Sequence, residues 1–294
     1  MRERTVVGIL TAAVLAGGAL LGAQGVRPLA PVPPEGQRVA PFFDGWYENP
    51  DGTVTLSFGY SNSNRTDTIE IPLGADNFIT PKEYDGRQPT SFPPVVAEQP
   101  ETSSVNARDR ERGVFTVTLP KASADVVWTL RYRAQSFSVP GRAKLNAYQL
   151  RWPMAMGSIP PLLRFSEAGA AGRGPAGIEA TPVKTPVGKP VPLAIWVTDD
   201  SVREQDPVTV APKGKPRPAL NVNWYKHSGP GPVRFSSARQ PIAQLEAMAS
   251  TEATFAQPGT YVLRVRADNF GRLDTSPGNQ CCWTNGYVRV TVTP

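Results

Sequence analysis

The chain has 294 residues, with 31 Lys plus Arg against 25 Asp plus Glu and a net charge of +6. These charges are scattered, so no basic stripe follows a phosphate backbone and a nucleic-acid partner is excluded. One histidine and two adjacent cysteines leave no ligand set for a zinc triad, no Cys-x-x-Cys redox centre and no usual serine triad.

Residues 1–25, MRERTVVGILTAAVLAGGALLGAQG, place Arg2 and Arg4 before an uncharged stretch at 6–21 and small residues at Ala23 and Gly25. This is the pattern of an export signal. The stretch 6–23 is also just long enough to be an uncleaved membrane anchor. Either way the rest of the chain is expected outside the cytoplasm: periplasmic, at the cell surface or extracellular. Residues 26–38, VRPLAPVPPEGQR, read as an extended proline-rich spacer.

A first domain is expected over 39–153. In DGTVTLSFGY, Val54, Leu56, Phe58 and Tyr60 share one face, and Asp51-Gly52 gives a turn before them. Phe115, Val117 and Leu119 alternate with Thr116 and Thr118, and Trp128, Leu130 and Tyr132 with Thr129, Arg131 and Arg133. Ile69 and Ile71 mark a shorter strand, and residues 144–152 are a further candidate. The stretch 80–112 is poor in apolar residues and reads as an insertion or mobile loop. Within it, Arg108, Arg110 and Arg112 alternate with Asp109 and Glu111, the pattern of a solvated loop.

Residues 154–186 are expected to be a linker: LLRF after Pro160-Pro161 reads as a helical turn or a covering strand, and the small residues and prolines that follow are too poor in large apolar side chains for a core of their own. A second domain follows over 187–294. Leu193, Ile195 and Val197 share a face, as do Leu220, Val222 and Trp224. Tyr261, Leu263, Val265 and Ala267 point inward while Val262, Arg264 and Arg266 point out, and Val288, Val290 and Val292 complete the set. The fold expected is all-β, two immunoglobulin-like β-sandwiches in tandem after the signal or anchor. Trp128, Trp224, Tyr261, Leu263 and Val265 are its expected core residues.

WYKHSGPGPVRF at 224–235 and ATFAQPGTYVLRVRAD at 253–268 resemble a polycystic-kidney-disease-type (PKD-like) domain, an immunoglobulin-like sandwich. The resemblance covers 187–294. It implies a spacer, adhesive module or accessory domain, and sets Tyr261 at the tyrosine corner of such folds, with Leu263 in place of a cross-sheet cysteine. The first half resembles N-terminal halves of uncharacterised exported bacterial proteins through FGYSNSN at 58–64 and RERGVFTVT at 110–118; that likeness carries no activity.

No catalytic, cofactor or metal residue is assigned. Asp199, Asp200, Asp268 and Asp274 read as turn residues, with calcium the only cofactor left open. His227 reads as an exposed loop residue. Phe42, Phe43, Trp46 and Tyr47 are a contact patch if exposed and packing if buried, and Trp283 is a further contact candidate. Cys281 and Cys282, in an oxidising compartment, are expected to form a vicinal disulfide, with free thiols and bridges to another chain as alternatives. Neighbouring Cα atoms lie about 3.8 Å apart where ordinary disulfides prefer roughly 4.4–6.8 Å, so such a ring is distorted. The function expected is a non-catalytic exported structural or binding protein that contacts a protein or glycan at the cell envelope. The alternative is a secreted polysaccharide-acting enzyme or its accessory subunit, which needs two carboxylates opposed across a cleft.

Overall fold

The alternating segments become strands in a computed structural model that describes residues 38–64, 66–95, 110–120, 125–143, 146–150, 157–202, 219–269 and 282–294. The first sandwich runs β1 (Val39–Glu48), β2 (Val54–Asn62), β3 (Ile69–Glu70), β4 (Asn77–Thr80), β5 (Ser91–Phe92), β6 (Arg110–Leu119), β7 (Val126–Tyr132) and β8 (Gln135–Gly141). Sheet β1-β2-β6 packs against sheet β4-β7-β8, and β3 pairs with β5. Leu56, Phe58, Phe115 and Val117 meet Ile79, Trp128 and Leu130 in one buried cluster. Its centre is aromatic: the Phe115 and Trp128 rings pack edge to face with centroids 4.9 Å apart, a favoured geometry.

The second sandwich runs β9 (Leu162–Arg164), β10 (Ala171–Gly172), β11 (Ile178–Glu179), β12 (Val183–Pro186), β13 (Val191–Thr198), β14 (Leu220–Ser228), β15 (Val233–Phe235), β16 (Arg239–Ile242), β17 (Glu246–Phe255), β18 (Gly259–Asp268) and β19 (Trp283–Thr293). One sheet has the order β10-β9-β13-β17-β15 and the other β11-β19-β18-β14-β16, with β12 also pairing β19. Trp224, Tyr261, Leu263 and Val265 are buried in a core separate from the first. The fold is all-β, a tandem of immunoglobulin-like sandwiches, and residues Gln37–Pro294 form one compact unit.

Three segments depart from the sequence expectation. Residues 154–186 are no mere linker: β9 adds to β13, while β11 and β12 pair in parallel with β19. The segment needs no core of its own because it lends its backbone to sheet edges whose cores already exist. Within 144–152, the described residues 146–150 hold a 3-10 turn, Asn146–Tyr148, where a strand is expected. Leu150 N–H then donates to the Trp46 carbonyl at 2.7 Å and the Tyr148 ring packs on Phe43, so the described residues 146–150 lie against β1 through an isolated bridge.

The stretch 80–112 is largely built into the first sandwich, although residues 96–109 lie outside those described. Its prolines prevent a long ladder, and buried amides replace it. Asn77 Nδ2 donates to the carbonyls of Ile71 and Pro89 at 2.9 and 2.7 Å, its Oδ1 accepts from Trp128 Nε1 at 3.0 Å, and Gln88 Nε2 donates to Asp85 Oδ1. Backbone groups that would otherwise be orphaned are thereby satisfied.

Tyr261 shows how a turn and a strand are joined. Its hydroxyl donates to the Gln257 carbonyl at 2.9 Å. Gly229, at φ +138°, lies so close to the ring that a Cβ there would come within 2.2 Å of it, which explains the glycine in the SGPG turn. Tyr261→Ala should cost about 3–5 kcal/mol of unfolding free energy, and Tyr261→Phe only about 1 kcal/mol. Urea melts measure both; similar small losses would show that the ring does not carry this packing.

Candidate functional site

The polar face of the second sandwich is where chemistry-bearing residues gather. Strands β14, β18 and β19 run in register, so their outward residues form rows: Asn221, Asp268 and Trp283; Asn223, Arg266 and Asn285; Tyr225, Arg264 and Tyr287. Alternation alone sends these side chains away from the core. Most are buried, with Asn221, Tyr225 and Tyr287 half-buried, because the first sandwich lies against this face.

Glu111 of β6 enters this face, and its exposure is 5%. One carboxylate oxygen, Oε1, accepts from Arg264 Nη2 at 2.6 Å and from Arg266 Nη1 at 2.8 Å, and Tyr225 bonds to the same carboxylate. Arg266 Nε donates to Asp268 Oδ2 at 3.0 Å. Two carboxylates thus balance two guanidinium groups. Burial works to raise the Glu111 pKa, but Arg266 and Arg264 outweigh it and hold the carboxyl below its ordinary value. The expectation of a solvated loop around Glu111 fails because three neighbouring strands complement it.

The backbone closes in beside this cluster. Gly113 sits at φ +57°, and a Cβ there would lie 1.9 Å from Trp283 Nε1. Asn285 Nδ2 donates to the Gly113 carbonyl at 2.6 Å, while Gly113 N–H donates to Asp44 Oδ2 at 2.8 Å. Burial raises the Asp44 pKa in spite of Arg110 and Arg112. Tyr287 donates its hydroxyl to the Val114 carbonyl, and burial pushes that phenol up to about 12.

His227 lies at a register shift of β14 against β18, where Lys226 faces Leu263 and Ser228 faces Val262. Such a bulge re-aims a side chain, and here it buries the imidazole that sequence reading leaves in solvent. Its Nε2 stands 3.0 Å from the Arg87 carbonyl, which can only accept, so Nε2 carries the proton. Nδ1 is buried and has no partner. Burial lowers the pKa to about 4. Beside it, Lys226 Nζ pairs with Glu70 at 3.0 Å, and Thr90 N–H donates to the His227 carbonyl. The crevice bounded by Tyr60, Ser91, Tyr225, His227 and Arg264 has an empty volume of ≈ 190 Å³, below the roughly 300–1,000 Å³ of small-molecule sites. The arrangement is a polar seam bonded from both sides, with the buried Asn223 Nδ2 and His227 Nδ1 left unpartnered; what it does chemically is hold two sandwiches in one orientation.

The other sequence candidates fall elsewhere. Trp283 is 1% exposed and Phe43 8%, so neither serves a contact patch: one packs in the seam and the other in the first core. Phe42, Trp46 and Tyr47 are half-buried, and the Arg110 guanidinium lies over the Phe42 ring. Cys281, the other half of the expected vicinal bridge, lies outside the described residues, and Cys282 is not a free thiol. Cys282 is buried with Sγ 3.2 Å from the Ser158 carbonyl oxygen. Asp200 pairs with both terminal nitrogens of Arg173, whose hydrogen bonds hold its carboxyl below the ordinary value. Asp199 receives Ser201 and Asn269; Asp274 lies outside the described residues. Among the described residues there is no group of three or more His, Cys, Asp or Glu able to hold a metal, and no helix long and apolar enough to cross a membrane.

No family model matches the chain, and no curated protein does, so the PKD-like resemblance of 187–294 has no support beyond the sandwich itself. Solved structures that align with it include domains 4 and 5 of the S-layer protein SbsC, at 12% identity and TM-score 0.25 over 60% of this chain and 68% of that one. The D00–D0 domain of intimin aligns at 10% identity and TM-score 0.26, over 87% of this chain and 100% of that one. The Yersinia pseudotuberculosis adhesin InvE aligns at 8% identity and TM-score 0.25, over 87% and 58%. Likenesses of this size carry no inference about role.

Removing the seam's anion should expose the cost of its buried cations. Glu111→Ala leaves Arg264 and Arg266 without their shared carboxylate and should lower stability by about 3–5 kcal/mol. Urea unfolding measures it. A loss under about 1 kcal/mol, the range of surface ion pairs, would mean the cluster is solvated.

Proposed function

We propose that this chain is a non-catalytic exported protein whose two sandwiches act as one rigid body and present a sheet face to a protein partner at the cell envelope. Export rests on the segment at 1–25. The observation that carries the contact reading is the outer face of β9, β13 and β17. There Arg164, Trp196 and Met248 stand in one cross-strand row. Met248 is 57% exposed, and Trp196, Leu162 and Ala194 are half-buried around it. Arg164 reaches Glu246 at 3.6 Å across the face. Tryptophan, methionine and arginine are the residue types enriched at protein interfaces, and an apolar centre with a charged rim is their usual arrangement. On the opposite sheet the outward aromatic and charged residues are consumed by the seam, which leaves this face as the surface for a partner.

The test is binding of the purified chain to envelope fractions, with Trp196→Ala and Met248→Asp as variants. Both residues point away from the core, so the melting temperatures should stay within about 2–4 °C of the parent, the span of roughly 1 kcal/mol in a chain this long. Each variant should lose at least about tenfold in affinity, the equivalent of about 1.4 kcal/mol at an interface anchor. Envelope treated with protease should no longer bind. Undiminished binding by both variants would refute this face as the contact surface. Binding that survives protease but not glycan digestion would replace the protein partner by a glycan. Release of reducing sugar from envelope polysaccharide would overturn the non-catalytic reading and favour the polysaccharide-acting alternative.

A further inference from the structure

His227 is the only histidine in the chain, and it sits where the two sandwiches touch. Every charged group around it is cationic or already engaged. From β18 comes Arg264, which lines the same crevice and is bonded to Glu111. From its own strand come Lys226, paired with Glu70 of β3, and Tyr225, bonded to Glu111. From β19 the Tyr287 ring meets the imidazole edge on, with centroids 5.7 Å apart. The first sandwich contributes the Arg87 carbonyl, with Tyr60 and Ser91 across the crevice. Among the described residues, no carboxylate stands free to receive a second imidazole proton.

We propose that the seam is an acid-operated latch: protonation of His227 at Nδ1 separates the two sandwiches while both cores remain folded. In the closed seam the new charge is buried beside Arg264, with no free carboxylate among the described residues to receive it. In the open seam it is solvated. Acid therefore favours the open form. The two cores can survive the opening because their buried clusters share no residue, and the titrating contacts join the sandwiches across the seam.

The sign follows from the shifts. The His227 value is lowered from 6.5 to about 4, so its contribution to closure is complete above pH 6.5 and is lost as pH falls through about 4. That shift corresponds to a growth in the open-to-closed ratio of about 300-fold. Glu111, also lowered, acts in the same direction at lower pH, when its protonation removes the shared anion. Asp44 is raised and acts in the opposite sense. The latch concerns the seam and is independent of any partner on the Trp196 face.

Two measurements on the full chain test it. Because the histidine is unique, its imidazole NMR signals need no assignment; they should titrate near pH 4, and a midpoint near 6.5 would overturn the latch. Small-angle scattering from pH 7 to pH 4, with circular dichroism in parallel, should show a growing radius of gyration at constant strand signal. His227→Gln keeps an amide donor for the Arg87 carbonyl and cannot take the proton. It should open at least about one pH unit lower than the parent. Constant dimensions in the parent down to pH 4, equal midpoints in parent and variant, or loss of strand signal together with expansion would each overturn the proposal.

Discussion

A single carboxylate sets the arrangement of this molecule. Glu111 projects from an edge strand of the first sandwich into a face of the second, where Arg264 and Arg266 converge on one of its oxygens. Charges taken out of water are costly unless geometry and hydrogen bonding are complete. Here they are completed from both sides, by Tyr225 and Asp268 on the second sandwich and by the Gly113 carbonyl on the first, which receives Asn285 and Arg264. A shift of one residue in β18 would swap Arg264 and Arg266 for Leu263 and Val265 and leave the carboxylate alone. The cluster therefore specifies register and orientation more than it adds stability.

Other features follow from that constraint. β18 has both faces covered from Leu263 onward, although antiparallel strands commonly keep one face in water. Gly113 must be glycine where the Trp283 indole lies against the backbone. The β14 bulge turns His227 into the seam. The segment between the sandwiches does not dangle but adds strands to both sheets of the second, and Tyr47 bonds to the backbone of Ala176 within it. The second sandwich thus has one sheet committed to its neighbour and one, with Trp196 and Met248, turned outward.

Much of this fold was legible as alternation. Val54, Leu56, Phe58 and Tyr60, or Tyr261, Leu263, Val265 and Ala267, declare a strand and its inward face by period alone. Alternation says which way a side chain points and nothing about what covers it. Arg264 and Arg266 were correctly outward, yet buried, and the same gap hid His227 and Trp283. A signal was present: Tyr225, Arg264, Trp283, Asn285 and Tyr287 put aromatic, amide and cationic groups on the outward parity of three strands, richer than a solvated face requires. It could be read only once those strands were known to be neighbours. Strands β10 to β12 were missed for a different reason. Two to four residues that pair only at an edge need no apolar pattern, since their stability comes from backbone hydrogen bonds to an existing sheet.

The central claim is that the seam makes one body of two sandwiches. Amide residual dipolar couplings at pH 7 test it most directly, because each rigid body reports its own alignment tensor. The account predicts that couplings from β1 to β8 and from β13 to β19 fit one tensor with the relative orientation described. Two tensors of different magnitude or orientation would show that the sandwiches move independently, and would contradict it.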